Sequence, residues 1–382
     1  MNIIFALYNR LESNSGFHAW SLAQELQKIG HNCVIATPEG GDRTDPESPL
    51  RVMGYDAVSA AAAEGSLFSG AEIDIFHAWT PRTVVTRFHA SVQKFIKGGT
   101  FVHLEDNEDE LARAFLGERM FAKTLAGGGP DPFPAKLTHP LHGQAFIARA
   151  RGVTVIMDAL AEKVPHDIPT CCIWPAADDK IFYPRPKPEA LRKKLGISPG
   201  TCILVYTGNG HPANFRELRS LYLAVHLLNR AGTPAKLIRT GQDYFRCPAG
   251  YKEWSEEHSI NLGFVKDRAE LGELLALADV CVQPGSPGQF NDYRFPSKLP
   301  EFFASGRPVI LPRTNIGHHI RHLEEGYLLD VADGVAICDA VLEIMADKQL
   351  EKRLSTGARA FYDNNLTWEK SARKLNEFYG QA

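Results

Sequence analysis

Short runs of apolar residues alternate with amphipathic stretches along the whole chain. The first half begins with IIFALY (3–8), continues through a helical pattern ending at Gly30, and returns to strand-like runs at 73–79, 99–105 and 151–157. Runs of β-type residues separated by helical patterns are typical of parallel α/β architecture. The order strand, loop, helix and strand predicts a Rossmann-like unit in this half.

The same pattern restarts after the middle of the chain. Its segments are the strands 202–208, 236–241, 260–265, 279–284 and 308–312, and the helices 215–232, 268–278 and 297–306. Four prolines between residues 175 and 188 interrupt regular structure, which places a domain boundary near 180. We therefore predict an N-terminal domain (1–180), a C-terminal domain (181–365) and a final helix (366–382) that returns to the first domain.

Two α/β domains joined by a proline-rich segment predict a deep cleft between the carboxyl ends of two parallel sheets. Ligands of open α/β sheets bind at such ends. This organisation is compatible with glycosyl transfer, with a two-domain dehydrogenase and with a solute-binding protein. The N-terminal run is too short and lacks the basic flank of a signal peptide, which disfavours a secreted solute-binding protein.

The net charge of the chain limits the classes of binding partner that we expect. The 382 residues contain 42 Lys and Arg against 45 Asp and Glu, a formal net charge of −3, so a protein that coats nucleic acid is not expected. A small anionic ligand remains compatible, because a few local cations suffice to hold one. The seven cysteines form no CxxC motif, which predicts reduced thiols in a cytoplasmic setting. The sequence also contains no apolar run of membrane-spanning length. Attachment at the inner face of the membrane stays open.

The most informative segment is FNDYRFPSKLPEFFASGRPVILP (290–312). Ser297 is a candidate N-cap and Gly306 a candidate stop, which places Lys298 and Glu301 three residues apart on one helix face. A nucleotide diphosphate could lie at this helix end, with Lys298 on its phosphates and Glu301 on its ribose hydroxyls. The alternative is a capped surface helix with an ion pair between these two residues.

This segment resembles the donor site of retaining GT-B glycosyltransferases, in particular family 4. The resemblance extends in order through residues 14–38, 171–184, 260–285 and 301–310. It implies the GT-B fold, with two facing Rossmann-like domains, an acceptor site in the first domain and a nucleotide-sugar site in the second. It also implies sugar transfer from a UDP- or GDP-linked donor to a hydroxyl of a glycan, a lipid-linked or a small-molecule acceptor.

Carried over residue by residue, the resemblance gives Glu301 the contact with the nucleotide ribose. Where the family has its first glutamate, this chain has Tyr293, preceded by Asp292. Either Asp292 contacts the hydroxyls of the donor sugar, or the sugar is held differently. The resemblance also gives Ser297 and Tyr293 places in the donor site.

The loop after the first strand of the second domain lacks the Arg and Lys that clamp the diphosphate in many family members. It contains Gly208, Asn209 and Gly210. Two glycines after a strand predict a backbone cradle for phosphate, and the alternative is a simple strand-to-helix turn. The candidates to replace the missing cations are Arg216, Arg294 and Lys298.

Further site residues come from the same resemblance. His103 would face the donor sugar, although a histidine closing a buried strand is more often structural, as we expect for His77. The remaining positions are Asn14, Ser15 and Gly16 in the acceptor and phosphate loop, Phe264 and Val265 beside the base, and Gly241 beneath the nucleotide.

Residues 110–144 mix apolar side chains (Phe115, Met120, Phe121 and Leu125) with basic ones. We interpret this segment as a cover over the domain core, with an acceptor lid or a membrane-surface patch as alternatives.

The predicted mechanism uses positioned cations and a helix end to stabilise the leaving diphosphate. The chain contains no Asp-x-Asp motif, so we expect no metal and no other cofactor. If the course is retaining, the acceptor attacks the face that the diphosphate leaves, and the leaving phosphate accepts the proton. Alternatives are a nucleotide-sugar epimerase and a catalytically inactive GT-B scaffold. A dehydrogenase is disfavoured because KLIRTG lacks the acidic residue that a dinucleotide ribose needs.

Overall fold

The structure is a computed structural model that describes residues 1–40, 43–44, 50–244 and 257–382. The strands are β1 (Asn2–Leu7), β2 (Asn32–Thr37), β3 (Arg43–Thr44), β4 (Arg51–Gly54), β5 (Ile75–Trp79), β6 (Thr100–Leu104), β7 (Gly152–Val155), β8 (Thr170–Cys172), β9 (Cys202–Thr207), β10 (Ala235–Thr240), β11 (Ser259–Asn261), β12 (Val280–Val282), β13 (Val309–Pro312) and β14 (Tyr327–Leu329). The α-helices are α1 (Asn14–Lys28), α2 (Tyr55–Ala63), α3 (Thr83–Val92), α4 (Glu108–Leu116), α5 (Glu118–Leu125), α6 (Pro140–Ile147), α7 (Glu189–Lys194), α8 (Phe215–Arg230), α9 (Arg268–Leu277), α10 (Leu299–Ala304), α11 (Gly334–Ala346), α12 (Lys348–Asn365) and α13 (Trp368–Gln381).

The chain forms two compact units. Unit 1 consists of Met1–Pro175, Tyr293–Phe295 and Trp368–Ala382. Its sheet has the order β3-β4-β2-β1-β5-β6-β7-β8, in which β3 is antiparallel to β4 and every other neighbouring pair is parallel. The central strands are almost wholly buried, which explains their continuous apolar sequences.

Helices α1 and α13 pack against each other and cover one face of this sheet. Leu22 and Leu26 of α1 and Leu375 of α13 share a buried cluster with Phe5 and Trp79 of the strands. The final helix therefore belongs to unit 1, because its apolar face completes the core of that unit.

Unit 2 consists of Ala176–Asp292 and Pro296–Thr367. Its parallel sheet has the order β11-β10-β9-β12-β13-β14. Helices α8 and α11 pack together over one face, and a Cβ atom on Gly334 would lie 2.7 Å from the side chain of Leu223. The first position of α11 therefore has no room for a larger residue.

Several predicted boundaries are wrong. The helix expected at 17–30 begins at Asn14, because Ser13 caps it by accepting a hydrogen bond from Gly16 N at 3.0 Å. The strand expected at 260–265 ends at Asn261, and the helix expected at 297–306 spans only Leu299–Ala304.

Among the described residues, no helix is long and apolar enough to cross a membrane. The six described cysteines are free thiols, and Cys247 lies outside the described residues.

Candidate active site

The strand ends of unit 2 form the first part of the site. Gly208 follows β9 and Gly241 follows β10, and a Cβ atom on Gly241 would lie 2.2 Å from the carbonyl oxygen of Gly208. Gly241 also has a φ of +100° and donates its N–H to the carbonyl of Gly263 at 2.7 Å. Two backbones in contact and a positive φ together require glycine at this position.

Lys298 lies directly over the end of β9. Its Nζ donates to Oε1 of the buried Gln283 at 3.2 Å and is 4.6 Å from the ring centroid of Tyr206. The amide nitrogen of Gln283 donates to the carbonyl of Pro284 at 2.7 Å, which turns the amide oxygen towards the lysine. A Cβ atom on Gly208 would lie 3.4 Å from the same Nζ. A fixed ammonium group over bare backbone is suited to an anionic ligand.

Glu301 supplies a carboxylate next to this ammonium group. Its Oε1 accepts a hydrogen bond from Arg268 at 2.9 Å, and its side chain is 14% exposed. Burial raises the pKa of Glu301, while the positive charges of Arg268 and Lys298 act in the opposite direction. The expected ion pair of Lys298 with Glu301 is replaced by hydrogen bonds of the lysine to Gln283 and of the glutamate to Arg268.

The loop 208–214 is held by its own hydrogen bonds. Gly210 N donates to the carbonyl of Gln242 at 2.8 Å, and His211 N donates to the side chain of Asn214 at 2.8 Å. The side-chain oxygen of Asn209 accepts from Gln242 N at 2.9 Å. These two backbone donors of the loop are therefore already occupied, which corrects the expected cradle. The glycine that matters here is Gly208, which leaves space for Lys298.

Two aromatic and apolar positions follow β11. Phe264 is 67% exposed and Val265 is half-buried, and both lie in a loop rather than in the predicted strand. Because Gly263 accepts a hydrogen bond from Gly241, this loop is tied to the end of β10. The exposed ring of Phe264 offers an aromatic face for stacking.

Other predicted donor residues lie elsewhere. Arg216 is exposed in the first turn of α8, and Ser297 is exposed and does not cap α10. Asp292 accepts hydrogen bonds from Gly288 N at 3.1 Å and from the hydroxyl of Thr314. Its carboxylate is thus engaged within unit 2 by its own loop and by Thr314.

Tyr293 and Arg294 belong to unit 1. The Tyr293 hydroxyl donates to Glu162, and its ring centroid is 5.4 Å from Nζ of Lys163. Burial and the charge of Glu108 raise the pKa of Asp106, and the charge of Arg294 acts in the opposite direction. Neither residue is part of the compact unit that contains Lys298, so their expected roles in the donor site stay predictions.

A polar cluster lies where β5 and β6 of unit 1 end. Glu105 accepts hydrogen bonds from Ser15 Oγ at 2.6 Å and from the indole of Trp79 at 2.7 Å. Burial raises the pKa of Glu105 to about 7, although these two hydrogen bonds favour the charged form. The same Ser15 hydroxyl is 3.1 Å from Tyr8 Oη.

Arg82 organises the neighbouring carboxylates. It is 3.0 Å from Glu108 and 3.4 Å from Asp106, and its guanidinium lies 3.8 Å from the ring centroid of Tyr8. Thr138 adds a hydrogen bond to Glu108 at 2.6 Å. A buried guanidinium that is paired and hydrogen-bonded in this way is a rigid support for the loop after β6.

His103 lies in the interior of unit 1. Its side chain is fully buried, its ring stacks on Trp79 at a centroid distance of 4.1 Å, and its Nδ1 is 2.8 Å from the hydroxyl of Thr154. Burial lowers the pKa of His103 well below its ordinary value. With no exposed atom, His103 cannot touch a sugar in this arrangement, which corrects its expected role. His77 is structural as expected, with ring nitrogens 2.6 Å from Tyr379 Oη and 3.0 Å from Thr154.

The predicted loop of Asn14, Ser15 and Gly16 is the first turn of α1. Asn14 is exposed, whereas Ser15 and Gly16 are buried, and a Cβ atom on Gly16 would lie 2.2 Å from the carbonyl oxygen of Leu11. Gly16 therefore permits the close approach of the preceding loop.

The segment 110–144 includes most of α4, all of α5 and the first part of α6. Phe115, Met120 and Leu125 are exposed as expected, but Phe121 is buried, and the Arg113 guanidinium lies 4.5 Å from its ring centroid. Phe121 thus supports interpretation of this segment as a cover.

Sequence reasoning missed the groups that hold the site residues. Arg268 and Gln283 fix Glu301 and Lys298, and Arg82 fixes the acidic loop. These partners are separated by 15 to 33 residues along the chain, so local spacing carries no signal for them. A charged or amide residue next to a predicted buried strand is the one cue that was available.

The part of the chain that forms this site is similar in sequence to known proteins. Residues 201–347 match the model of glycosyl transferases group 1, a segment that contains the strand ends, Lys298 and Glu301. N-acetyl-alpha-D-glucosaminyl L-malate synthase of Bacillus anthracis is 24% identical over 279 residues, which are 70% of each chain. A GDP-mannose-dependent alpha-(1-6)-phosphatidylinositol dimannoside mannosyltransferase of Mycobacterium tuberculosis is 27% identical over 198 residues, 52% of this chain and 49% of that one.

A solved structure shares the whole fold. The crystal structure of Anabaena Alr3699/HepE, in complex with UDP-glucose, superimposes with a TM-score of 0.70 at 13% identity and covers 100% of both chains. The two parallel sheets are those of the GT-B fold. The chain is a glycosyltransferase with this fold, an enzyme that transfers a sugar.

Proposed function

We propose that this glycosyltransferase takes its sugar from a nucleotide diphosphate donor that binds at the strand ends of unit 2. The observation that carries the proposal is the position of Lys298, whose ammonium lies over Gly208 and is fixed by Gln283. Lys298 would contact the diphosphate, Glu301 would accept the ribose hydroxyls, and Phe264 with Val265 would flank the base. The complex of HepE with UDP-glucose and the GDP-mannose dependence of the mycobacterial relative support a UDP- or GDP-linked donor.

The transfer itself requires that negative charge on the departing diphosphate be stabilised. Lys298 can do this electrostatically, because it is already oriented before the reaction and needs no rearrangement. With no Asp-x-Asp motif in the sequence, we propose that no Mg²⁺ or Mn²⁺ bridges the diphosphate. Addition of either ion to the dialysed enzyme should leave kcat/KM for the donor unchanged, and a requirement for one of them would contradict this part.

We propose a retaining, family 4-like course. The acceptor hydroxyl would attack the face of the sugar that the diphosphate leaves, its oxygen would form the new bond to the anomeric carbon, and a phosphate oxygen would take its proton. The named α-linked products of the two relatives are consistent with such chemistry for those proteins. An NMR spectrum of the product that shows the inverted anomer would refute retention.

The acceptor class remains a proposal at the level of a hydroxyl compound. The relatives act, by their names, on L-malate and on a phosphatidylinositol mannoside, so both small and lipid-linked acceptors are represented. We propose a cytoplasmic enzyme that works on such an acceptor, with contact to the membrane face only if the acceptor is lipid-linked.

A panel of nucleotide sugars tests the proposal. Thermal unfolding of the protein is followed with UDP- and GDP-linked hexoses, and the donors that raise Tm are then incubated with acceptors of both classes. We expect one base to be preferred, a glycoside to form and the nucleoside diphosphate to be released. Consumption of the donor with no glycoside would instead indicate epimerisation.

A further inference from the structure

Three side chains in the interior of unit 1 converge on one point that the proposed transfer does not use. His18 comes from α1, His103 from β6, and Glu105 from the loop directly after β6. One ligand atom of each residue lies within 4.8 Å of the other two. The imidazoles meet edge to face, with ring centroids 5.5 Å apart.

Two of these atoms lack partners. Nε2 of His18 and Nε2 of His103 are buried, and neither has a hydrogen-bond partner among the described residues. The side chain of His18 is 3% exposed and that of His103 is fully buried. Buried polar atoms are nearly always hydrogen-bonded, so two unpartnered nitrogens beside one carboxylate indicate a missing ligand.

The surroundings are compatible with the tautomer of His103 that a metal ion requires. Tyr379 Oη can donate to His77 Nδ1, His77 Nε2 to the hydroxyl of Thr154, and His103 Nδ1 to the same hydroxyl. This assignment uses all three hydrogen bonds and leaves Nε2 of His103 with a free lone pair. A histidine held through its other nitrogen is the usual arrangement at a metal ion.

Glu105 is prepared in the same way. It accepts hydrogen bonds from two neutral groups, Ser15 Oγ at 2.6 Å and the Trp79 indole at 2.7 Å, which orient its carboxylate. The nearby Arg82 is paired with Glu108 and Asp106 instead. A cation at Glu105 would therefore add positive charge where the side chain has only neutral hydrogen-bond donors.

We propose that His18, His103 and Glu105 form a binding site for a divalent transition-metal ion of the Zn²⁺ type. Two imidazoles and a carboxylate are a ligand set that such ions accept. At the largest ligand separation, an ion equidistant from the three atoms would be about 2.8 Å from each, so contraction by about 0.7 Å reaches the usual bond length. The ion would tie α1, through His18, to the end of β6. The inference does not depend on the proposed donor.

Metal titration tests the site. The full chain, freed of any histidine tag and stripped with a chelator, is titrated with Zn²⁺ against a chromophoric competitor and assayed for bound metal. We expect one tight equivalent per chain and a rise in Tm of roughly 5 °C at a hundredfold excess over Kd. Glu105→Gln and His18→Gln should each weaken binding at least about a hundredfold. The absence of a tight equivalent in the wild-type protein would overturn the proposal.

The matched control is a second histidine and glutamate group. His226, Glu257 and His258 also approach within 4.8 Å of one another, but Glu257 is exposed and the two histidines are half-buried. His226→Gln should leave the tight equivalent intact, and its loss in this variant would overturn the assignment to unit 1. The X-ray absorption spectrum of the zinc-loaded wild type identifies the ligands of the ion even if Glu105→Gln does not fold. Two imidazole ligands would support the site, and a spectrum without imidazole would refute it.

Discussion

Replacement of Lys298 by methionine tests the proposed diphosphate contact. Methionine retains much of the apolar stem but removes the ammonium that donates to Gln283 at 3.2 Å and lies over Gly208. A hydrogen bond to a charged group contributes about 1.5–3 kcal/mol, so the Kd for UDP or GDP should rise about 10- to 150-fold. Because charge develops on the diphosphate during transfer, kcat should fall further, by roughly 100-fold.

Isothermal titration calorimetry separates this effect from a damaged fold. The variant should bind the free nucleoside as the wild type does, because a nucleoside has no phosphate for Lys298 to contact. Lys352→Met, on an exposed position of α12, is the matched control. It should change neither the Kd for the nucleoside nor the Kd for the nucleoside diphosphate. Loss of the hydrogen-bond partner of the buried Gln283 should cost about 1 kcal/mol of stability, visible as a small fall in Tm. Equal affinity of wild type and Lys298→Met for the nucleoside diphosphate would refute the proposed contact between Lys298 and the diphosphate.

Three further substitutions test other parts of the account. Glu301→Gln should abolish the preference for a ribo- over a 2′-deoxyribonucleoside diphosphate. Since burial raises the pKa of Glu301, wild-type donor affinity should fall as the pH drops through that raised value, whereas the glutamine variant should show no such step; an unchanged pH profile in calorimetry would argue against the ribose contact. Gly241→Ala should lower stability by more than about 2 kcal/mol, and Gly232→Ala, with a φ of +85° but no atom within 4 Å, should cost only about 1–2 kcal/mol in urea unfolding. Arg82→Met should destabilise unit 1 by about 3–5 kcal/mol, because it leaves the 8%-exposed Glu108 side chain without its ion-pair partner, and a change below about 1 kcal/mol would show that the pair is not structural.

The sequence predicts the layers of the fold better than the contacts of the site. Continuous apolar strands such as β1 and β9 and the amphipathic faces of α8 and α13 are local patterns, so their existence follows from periodicity. Helix α1 begins earlier than predicted because Ser13 caps it. Ser15 offers a second hydroxyl nearby, and the spacing of the sequence cannot tell which of the two is the cap.

Lys298 and Glu301 are recognisable because they are close in sequence and belong to a segment that resembles a known donor site. Their partners Gln283 and Arg268 are brought near only by tertiary packing, so no local pattern reveals them. His103 illustrates the opposite error. The resemblance suggested a contact with the donor sugar, but whether such a side chain points into the core depends on neighbours from other strands.

The most direct measurement is a crystal structure of the enzyme with UDP or GDP, whichever raises Tm more. We expect a phosphate oxygen within about 3 Å of Lys298 Nζ, and we expect the ribose hydroxyls to donate hydrogen bonds to the carboxylate of Glu301. A nucleotide bound elsewhere, with no phosphate oxygen near Lys298 Nζ, would contradict this proposal.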